Sequence, residues 1–553
     1  MGKELQVKTP LEMLWHWEKT KPESIYLSQP KDGGWINYSW KKVAEEVRKM
    51  AGVLNGMGFG EGDKIASLSK NDAYWIMTDL AIMAADCISV PMYPNLNEKT
   101  VAQILEHSEA KAIFIGKLDE QPWADMEPGI PDNIAKISTP LWGPAKYDNW
   151  NDLTAKYDPI TTSPTRSNDE LASIIYTSGT TGMPKGVMHN FLNFSFAGTH
   201  AVADVGINEG SKFFSYLPLC HIAERLLVEI GSIYTGGKIF FAETLESFPA
   251  NLAHASPDIF LAVPRIWDKF QQKILLKMPQ KKMDTFLKIP ILKNIVKKKI
   301  RAGLGLTEAT QIFSGAAPIS TSLLEWFSKL DINIQEAYAM TENCCYSHAS
   351  RNNAIRIGSV GQALKYVDVK ISDEGEILIK HAALMNGYYK EPEMTEETFE
   401  DGYLKTGDQG RIDNDGFLFI TGRVKDLFKT DKGKYIAPAP IELAMSADPN
   451  IEQATLIGMG IPQPIALICL SEEGLAADKD EVTKSLEETR KRINPTLDHH
   501  EQVSAYVVLK EPFTVENSML TPTLKVKRNS VEKKYMEHFK SWYEENAAVV
   551  WES

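Results

Sequence analysis

At 553 residues the chain is too long for one compact core, and its 43% hydrophobic and 24% charged residues are ordinary proportions for a globular protein. The net charge of −13 argues against nucleic acid as a partner, because binding a phosphate backbone needs a basic surface. The chain has no apolar run long enough to span a membrane, no secretory signal and no CxxC pair among its five cysteines, so we expect a cytoplasmic protein.

The N-terminal part of the chain alternates between helix and strand signals. Apolar residues at helical spacing and short apolar runs predict, in chain order, a helix at 39–54, strands at 64–68 and 87–92, a helix at 98–106 and a strand at 112–115. This alternation predicts an α/β fold in which helices flank parallel sheets.

A segment rich in glycine and hydroxyl groups, YTSGTTGMPKGVMH (Tyr176–His189), directly follows an apolar, strand-like run at 171–175. Glycines let successive backbone N–H groups point at one anion. The neutral donors and the single cation of the segment are Thr177, Ser178, Thr180, Thr181 and Lys185. The segment therefore predicts a phosphate site, and it differs from a Walker loop because a glycine follows the lysine.

A basic amphipathic segment lies at 281–301, with eight basic residues, one acid and apolar residues between them. In an acidic protein such a segment is suited to contact with an anionic membrane surface. The alternative is an ordinary lysine-rich surface, and Pro290 interrupts any single helix here.

The C-terminal region has strand and helix signals of its own. It predicts strands at 454–458, 465–470 and 504–509, a helix at 480–493, and a last helix with Val531, Tyr535, Phe539 and Trp542 on one face. We therefore expect a large N-terminal domain of helix-flanked sheets at 1–423 and a small α+β domain at 424–553.

Seven motifs in order along the chain resemble those of the adenylate-forming superfamily, which includes acyl-CoA synthetases, peptide-synthetase adenylation domains and firefly luciferase. After the glycine-rich segment come YLPLCHIAER (216–225), SGAAP (314–318), EAYAMTEN (336–343), YLKTGDQGRID (403–413), GRVKD (422–426) and LTPTLKVKR (520–528). Within the superfamily the chain is most similar to long-chain fatty acyl-CoA synthetases. The resemblance implies that a carboxylic acid is activated with ATP and then transferred to CoA.

The resemblance also implies which residues bind the nucleotide and the metal. ATP or AMP is expected to be bound by Thr177, Ser178, Gly179, Thr180, Thr181, Gly182, Lys185, Gly315, Ala316, Ala317, Glu336, Ala337, Tyr338, Met340, Thr341, Asp408, Arg423 and Lys525. Mg²⁺ is expected at Glu342 and Thr181, since it prefers oxygen ligands. The structural alternatives are an ordinary surface carboxylate at Glu342 and a turn-forming aspartate at Asp408.

The catalytic residues implied by the resemblance are Lys525, Thr181, Lys185, His221, Glu342 and Arg423. Lys525 is expected to neutralise charge at the α-phosphate, and the Lys-x-x-Arg spacing selects it over Lys527. His221 is expected in the wall of the carboxylate pocket, although a hydrogen-bonded core histidine is the alternative. Lys425 matches the hinge about which the small domain of the family rotates between the two half-reactions.

The expected CoA tunnel, at Lys432, Gly433 and Lys434, departs from the usual pattern. Asp431 and Lys432 stand where relatives have Ser and Gly, so a side chain at 432 either narrows the tunnel or contacts a CoA phosphate. Three alternatives stay open: a ligase for medium-chain or aryl acids, an acyl-AMP ligase that delivers to a carrier protein, and a non-catalytic nucleotide-binding protein.

Overall fold

The computed structural model describes residues 7–177, 183–515, 517–521 and 525–552. The chain divides into two compact units. The first comprises Met1–Ala317, Leu323–Asp368 and Ile379–Leu404, and the second comprises Pro318–Ser322, Val369–Leu378 and Lys405–Ser553. The domain boundary at 423 stays a prediction.

Two large sheets form the framework of the first unit. In spatial order the nine-stranded sheet of the described residues runs Gln362–Ala363, His348–Ala349, Gln335–Tyr338, Gln311–Ser314, Ile259–Ala262, Lys212–Ser215, Lys238–Phe241, Ile25–Lys31 and Gly34–Ser39. The seven-stranded sheet runs Asp148–Asn149, Ala135–Ser138, Ala112–Ile115, Lys64–Leu68, Ile88–Met92, Leu171–Thr177 and Lys185–Asn190. Both are parallel at their centres, so the predicted α/β fold is confirmed.

Fifteen α-helices precede residue 400 in the described part of the chain. They are Pro10–Thr20, Trp40–Gly56, Ala73–Ala84, Glu98–Ser108, Glu120–Met126, Trp150–Lys156, Phe191–Asp204, Ile222–Glu224, Gly231–Thr235, Phe248–Ala255, Pro264–Lys277, Gln280–Leu287, Pro290–Gly303, Thr321–Ser328 and Pro392–Thr398. Short polar side chains start several of them: the Ser39 hydroxyl, for example, accepts the backbone N–H of Lys42. Trp40, Trp150 and Trp267 are fully buried beneath them.

Three smaller sheets follow along the chain. The first joins Asp368–Ile371, Glu376–Lys380, Tyr403–Ile412, Phe399–Glu400 and Leu418–Arg423, and the second is the pair Phe428–Lys429 and Tyr435–Ile436. The third has four strands in the order Ile451–Ile457, Ile465–Leu470, Tyr506–Val508 and Val549–Trp551. It is packed by the helices Pro438–Met445, Glu472–Ala476, Lys479–Ile493, Arg528–Tyr535 and Phe539–Glu544.

The prediction of one continuous last helix is wrong. A 3₁₀ turn, Met536–His538, separates two α-helices there. Val531, Tyr535, Phe539 and Trp542 are nevertheless all buried in one core, so their periodicity does not reveal the break. Among the described residues, none of the helices combines the length and the apolar content that crossing a bilayer requires.

Candidate functional site

The predicted phosphate site lies at a hairpin on the edge of the seven-stranded sheet. Leu171–Thr177 pairs antiparallel with Lys185–Asn190, and half-buried Thr177 stands opposite Lys185. A Cβ at Gly186 would lie 2.7 Å from Cγ2 of Ile174, which explains the glycine after the lysine. The other predicted members of this loop, Ser178, Gly179, Thr180, Thr181 and Gly182, lie outside the described residues.

Tyr388 connects the predicted phosphate lysine to the predicted metal ligand. Its hydroxyl donates a hydrogen bond to Oε1 of Glu342 at 2.9 Å. Nζ of Lys185 lies 5.3 Å from the centroid of the Tyr388 ring, within cation–π distance. Burial, followed by the nearby Glu342 carboxylate, raises the pKa of Tyr388 above its usual value, so the hydroxyl keeps its proton and remains a donor.

The backbone around Tyr388 makes hydrogen bonds with the outer strand of the hairpin. The N–H of Met188 donates to the carbonyl of Gly387 at 3.0 Å, and the N–H of Tyr389 donates to the carbonyl of Gly186 at 2.8 Å. The same segment begins at Met385, whose N–H donates to the carbonyl of Glu342 at 2.8 Å. The segment thus holds the hairpin and the turn that carries Glu342 in one arrangement.

A buried histidine makes a second link between the same two elements. Nε2 of His189 lies 2.8 Å from the carbonyl oxygen of Thr341, and Nδ1 lies 3.1 Å from Oδ1 of Asn193. Burial lowers the pKa of His189 to about 4, so its ring is neutral at pH 7. Thr341, itself buried, is therefore fixed through its backbone, and its neighbour Glu342 is half-buried in a 3₁₀ turn.

The segment at 315–317, expected to bind ATP or AMP, contains one strained residue. Ala316 has φ of 65°, in the left-handed region that is costly for a residue with a Cβ. A Cβ at the preceding Gly315 would lie 3.3 Å from the carbonyl of Ala337, so the two predicted segments approach closely. Ala316 and Ala317 are exposed, while Ala337, Tyr338 and Met340 are half-buried. Strain of this kind is often found at ligand sites.

Glu336 has a carboxyl group in an environment that favours the protonated form. Burial raises its pKa to about 8, although a hydrogen bond from the backbone of Gly358 opposes this shift. The folded pKa is therefore above the unfolded one. The protonated carboxyl of Glu336 therefore contributes to the free energy of unfolding. This contribution is fully present below pH of about 4.5 and is lost as the pH rises through about 8.

We expect Glu336→Gln to remove this pH dependence, because an amide mimics the protonated carboxyl and does not ionise. The melting temperature of the variant should rise relative to that of the wild type by about 5 °C between pH 6 and pH 9. Glu325→Gln, at an exposed position, is the control and should track the wild type throughout. A pH-independent difference for Glu336→Gln would show that its carboxyl is already ionised at pH 6.

The predicted carboxylate-pocket residue, His221, caps a short helix. Its Nδ1 accepts the N–H of Ala223 at 3.2 Å, so Nε2 carries the ring proton when the ring is neutral. Burial raises the pKa of the neighbouring Cys220 thiol, which argues against a Cys–His nucleophile. In the same motif, fully buried Arg225 pairs with Asp79 at 2.6 Å and donates to Oγ of Ser173 at 2.7 Å, on the strand that leads to the phosphate hairpin.

In the second unit, two predicted nucleotide ligands contact each other. Asp408 and Arg423 are register partners on neighbouring strands, and Nε of Arg423 donates to Oδ1 of Asp408 at 2.9 Å. The Asp408 residue is largely buried, whereas the Arg423 side chain is 59% exposed. The arginine thus orients a carboxylate that has capacity to accept several hydrogen bonds.

Lys525 lies in the second unit, where two hydrogen bonds join it to Thr521. Its N–H donates to Oγ1 of Thr521 at 3.1 Å, and its carbonyl accepts the N–H of Thr521 at 2.8 Å. Three residues later, Arg528 pairs with Glu442 at 2.6 Å and anchors the segment. Lys525 is exposed and Lys527 is half-buried, and the choice of Lys525 stays a prediction.

The predicted hinge and tunnel residues are also exposed. Lys425 lies in the 3₁₀ turn Val424–Asp426 directly after Arg423. Lys432, Gly433 and Lys434 form the tip of the hairpin between Phe428–Lys429 and Tyr435–Ile436, where Gly433 has φ of 76°. Their roles in rotation and in CoA binding stay predictions.

Sequence reasoning missed three residues of this arrangement: Tyr388, His189 and Arg225. His189 and Arg225 lie inside quoted motifs, and that position is the only signal for them in the sequence, whereas Tyr388 lies in none of these motifs. Their importance comes from contacts with residues distant in the chain, since Tyr388 and Glu342 are 46 positions apart and His189 and Thr341 are 152 apart.

Two family profiles match the chain. One, described as AMP-binding enzyme, covers residues 14–389, and the other, AMP-binding enzyme C-terminal domain, covers residues 409–547. Among curated proteins, the chain is 28% identical to long-chain-fatty-acid–CoA ligase FadD15 of Mycobacterium bovis, over 96% of each chain.

Solved structures share its fold. The anthranilate CoA ligase AuaEII in complex with anthranoyl-AMP superposes with a TM-score of 0.79 at 18% identity, over 96% of this chain and 98% of that one. The A-PCP didomain of carboxylic acid reductase from Segniliparus rugosus in complex with AMP gives a TM-score of 0.81 at 20% identity, over 98% of this chain and 83% of that one.

Proposed function

Because the chain belongs to the AMP-binding enzyme family, we propose that it is an AMP-forming ligase that joins a long-chain fatty acid to CoA. The observation that carries the adenylation part is the link from Lys185 through Tyr388 to Glu342. Similarity over almost the whole chain to a long-chain-fatty-acid–CoA ligase supports the choice of acid.

The proposed reaction has two steps. A carboxylate oxygen attacks the α-phosphorus of ATP, the bond to the bridging oxygen breaks, and pyrophosphate leaves behind an acyl-adenylate. The CoA thiol then loses its proton and attacks the acyl carbon, and AMP departs with the electron pair of the cleaved bond. Both steps place negative charge on oxygen, so fixed cations and hydrogen-bond donors can supply the catalysis without a covalent enzyme intermediate.

The main predicted residues have separate tasks in this scheme. Lys185 and the loop hydroxyls bind the β- and γ-phosphates, and Thr341 contacts the α-phosphate. Asp408, held by Arg423, accepts hydrogen bonds from the ribose hydroxyls. Lys525 neutralises the charge that develops as the new phosphorus–oxygen bond forms.

The donor set at Glu342 fits Mg²⁺. This ion is commonly held by one or two carboxylates together with substrate phosphates, and Glu342 offers one carboxylate whose Oε1 is oriented by Tyr388. When bound, the ion neutralises charge on the phosphate oxygens. The protein's own contribution is to keep the carboxylate in place beside the phosphate lysine.

Two alternatives within the same chemistry have some support. A solved relative binds an aromatic acyl-adenylate, and another relative contains a PCP domain fused to its adenylating region. Because Lys432 departs from the family pattern at the expected CoA tunnel, the sequence supports the transfer to CoA less strongly than the activation with ATP. A non-catalytic nucleotide-binding protein is disfavoured because Lys185, Glu342, Asp408, Arg423 and Lys525 are all present.

ATP–pyrophosphate exchange across straight-chain acids from acetate to palmitate, together with benzoate, tests the proposal. We expect exchange to be strongest with the longest acids, and CoA to convert the adenylate to a thioester with release of AMP. Strongest exchange with benzoate would assign the protein to aryl acids. If exchange occurs but CoA does not convert the acyl-adenylate to a thioester, even with long-chain acids, the result would favour delivery to a carrier protein.

A further inference from the structure

An exposed face of the helix Pro290–Gly303 combines isoleucine with lysine. Ile291 and Ile295 are 75% and 47% exposed, and Lys298 and Lys299 are also exposed. The spacing i, i+4, i+7 and i+8 places these four residues on one side of the helix. Lys288 and Ile289, exposed in the turn before it, extend the set. We call these six residues the basic apolar face.

The helix is fixed to the protein by its opposite side. Val296 is buried, and Nζ of Lys297 pairs with Asp331 at 2.7 Å. Within the described part of the chain, no carboxylate lies at ion-pair distance from Lys288, Lys298 or Lys299. The basic apolar face therefore has a fixed direction and carries positive charge that no ion pair with a described residue neutralises.

This helix belongs to the connection between two neighbouring parallel strands. Ile259–Ala262 and Gln311–Ser314 pair in the nine-stranded sheet, and the three helices Pro264–Lys277, Gln280–Leu287 and Pro290–Gly303 lie between them in the chain. The second strand leads directly into Gly315. The basic apolar face is thus part of the rigid framework of the unit that carries Lys185 and Glu342.

We propose that the basic apolar face docks on the surface of an anionic phospholipid bilayer. Isoleucines inserted at the level of the head groups lose their contact with water, and the lysines around them bind lipid phosphates while their aliphatic stems lie against the apolar side chains. Lys281 and Lys282, both exposed on the preceding helix, add positive charge nearby.

The combination of exposed isoleucines and lysines on the basic apolar face favours a bilayer over other anionic partners. A nucleic acid would use the lysines but would leave the isoleucines in water, and an acidic protein surface would do the same. The net charge of −13 makes general attraction to anionic surfaces unfavourable, so attraction has to be local. The benefit to the enzyme rests on the proposed function, since long-chain acids partition into bilayers.

Co-sedimentation of the full-length protein with vesicles tests the proposal without ATP or acid. With equal parts of phosphatidylglycerol and phosphatidylcholine we expect binding that falls as salt is raised, and with phosphatidylcholine alone we expect little binding. The triple change Lys288→Gln, Lys298→Gln and Lys299→Gln should lower the partition coefficient about 100-fold, at about fivefold for each lysine. Ile291→Asn with Ile295→Asn should lower it at least about tenfold.

Matched controls use the same substitutions elsewhere. Lys484→Gln, Lys491→Gln and Lys540→Gln change the net charge equally at exposed positions and should leave vesicle binding within about twofold. Leu245→Asn with Leu475→Asn removes side chains that are 89% and 73% exposed in acidic surroundings, and should likewise have little effect. ATP–pyrophosphate exchange with a water-soluble acid should be unchanged in all four variants, which separates docking from catalysis.

Equal binding by the wild type and the triple lysine variant would overturn the proposal, as would binding that is indifferent to lipid charge. Sedimentation velocity without lipid tests the remaining alternative, that the basic apolar face binds a second copy of the chain. A dimer that the isoleucine variant converts to monomer would assign the face to self-association instead. Because the vesicle assay contains no substrate, a wrong acid class would leave its result unaffected.

Discussion

Lys525→Ala is expected to lower acyl-adenylate formation about 100- to 1000-fold, the range seen when one positioned group that stabilises a developing oxyanion is removed. The exposed Lys525 ammonium is proposed to neutralise charge as the carboxylate bonds to the α-phosphorus. Its backbone is held by two hydrogen bonds with Thr521, and nearby Arg528 pairs with Glu442, so the truncation should leave these contacts intact. ATP–pyrophosphate exchange measures the loss directly.

Lys527→Ala is the matched control for this prediction. Lys527 has the same charge two residues away, yet it is half-buried and precedes the helix Arg528–Tyr535. We expect its exchange rate to stay within about threefold of the wild type. Near-normal exchange by Lys525→Ala together with a large loss in Lys527→Ala would move the assignment to Lys527.

Glu342→Gln is expected to lower exchange at least about 100-fold at ordinary magnesium concentrations, because a neutral amide is a much poorer ligand for Mg²⁺ than a carboxylate. The substitution keeps the size of the side chain and its capacity to accept the Tyr388 hydrogen bond. Titration of exchange with MgCl₂ is the measurement, and the magnesium concentration for half-maximal rate should rise. An unchanged magnesium dependence would mean that Glu342 is a surface carboxylate.

Two neighbouring tyrosines provide a graded test of the same arrangement. Tyr388→Phe removes the hydrogen bond to Glu342 but keeps the ring beside Lys185, so we expect a smaller loss of about tenfold, with a raised magnesium requirement. Tyr389→Phe removes a hydroxyl that donates to Glu109 at 3.0 Å on the surface, and it should have little effect. Equal effects from both tyrosines would contradict a specific role for Tyr388.

Regular local elements of the fold are predictable from the sequence. The strands predicted at 64–68, 112–115 and 465–470 have the same bounds in the structure, because each is a short apolar run between clear turns. The order of strands in the sheets is not predictable in this way: Ile25–Lys31 pairs with Lys238–Phe241, far along the chain. Val549–Trp551 is missed because three residues are too few for a periodic signal.

The candidate site likewise contains residues that the sequence identifies and residues that it does not. Motif resemblance identifies residues that act through their own chemistry, such as Lys185 and Glu342, whose roles remain predictions. It does not single out Tyr388, His189 or Arg225, which act by holding other residues. His189 reaches Thr341 only through tertiary packing, and Ala316 reveals its left-handed backbone only in three dimensions.

The bracing of the phosphate hairpin has a consequence for the thermodynamics of nucleotide binding. Backbone pairing with the segment from Met385 to Tyr389 and the contact of His189 with Thr341 hold the backbone near Lys185 and Glu342, and Tyr388 contacts both of these side chains. Side chains that are already ordered lose little conformational entropy on association. More of the attraction to the triphosphate is then retained as affinity, and the same preorganisation lowers the reorganisation needed to reach the transition state.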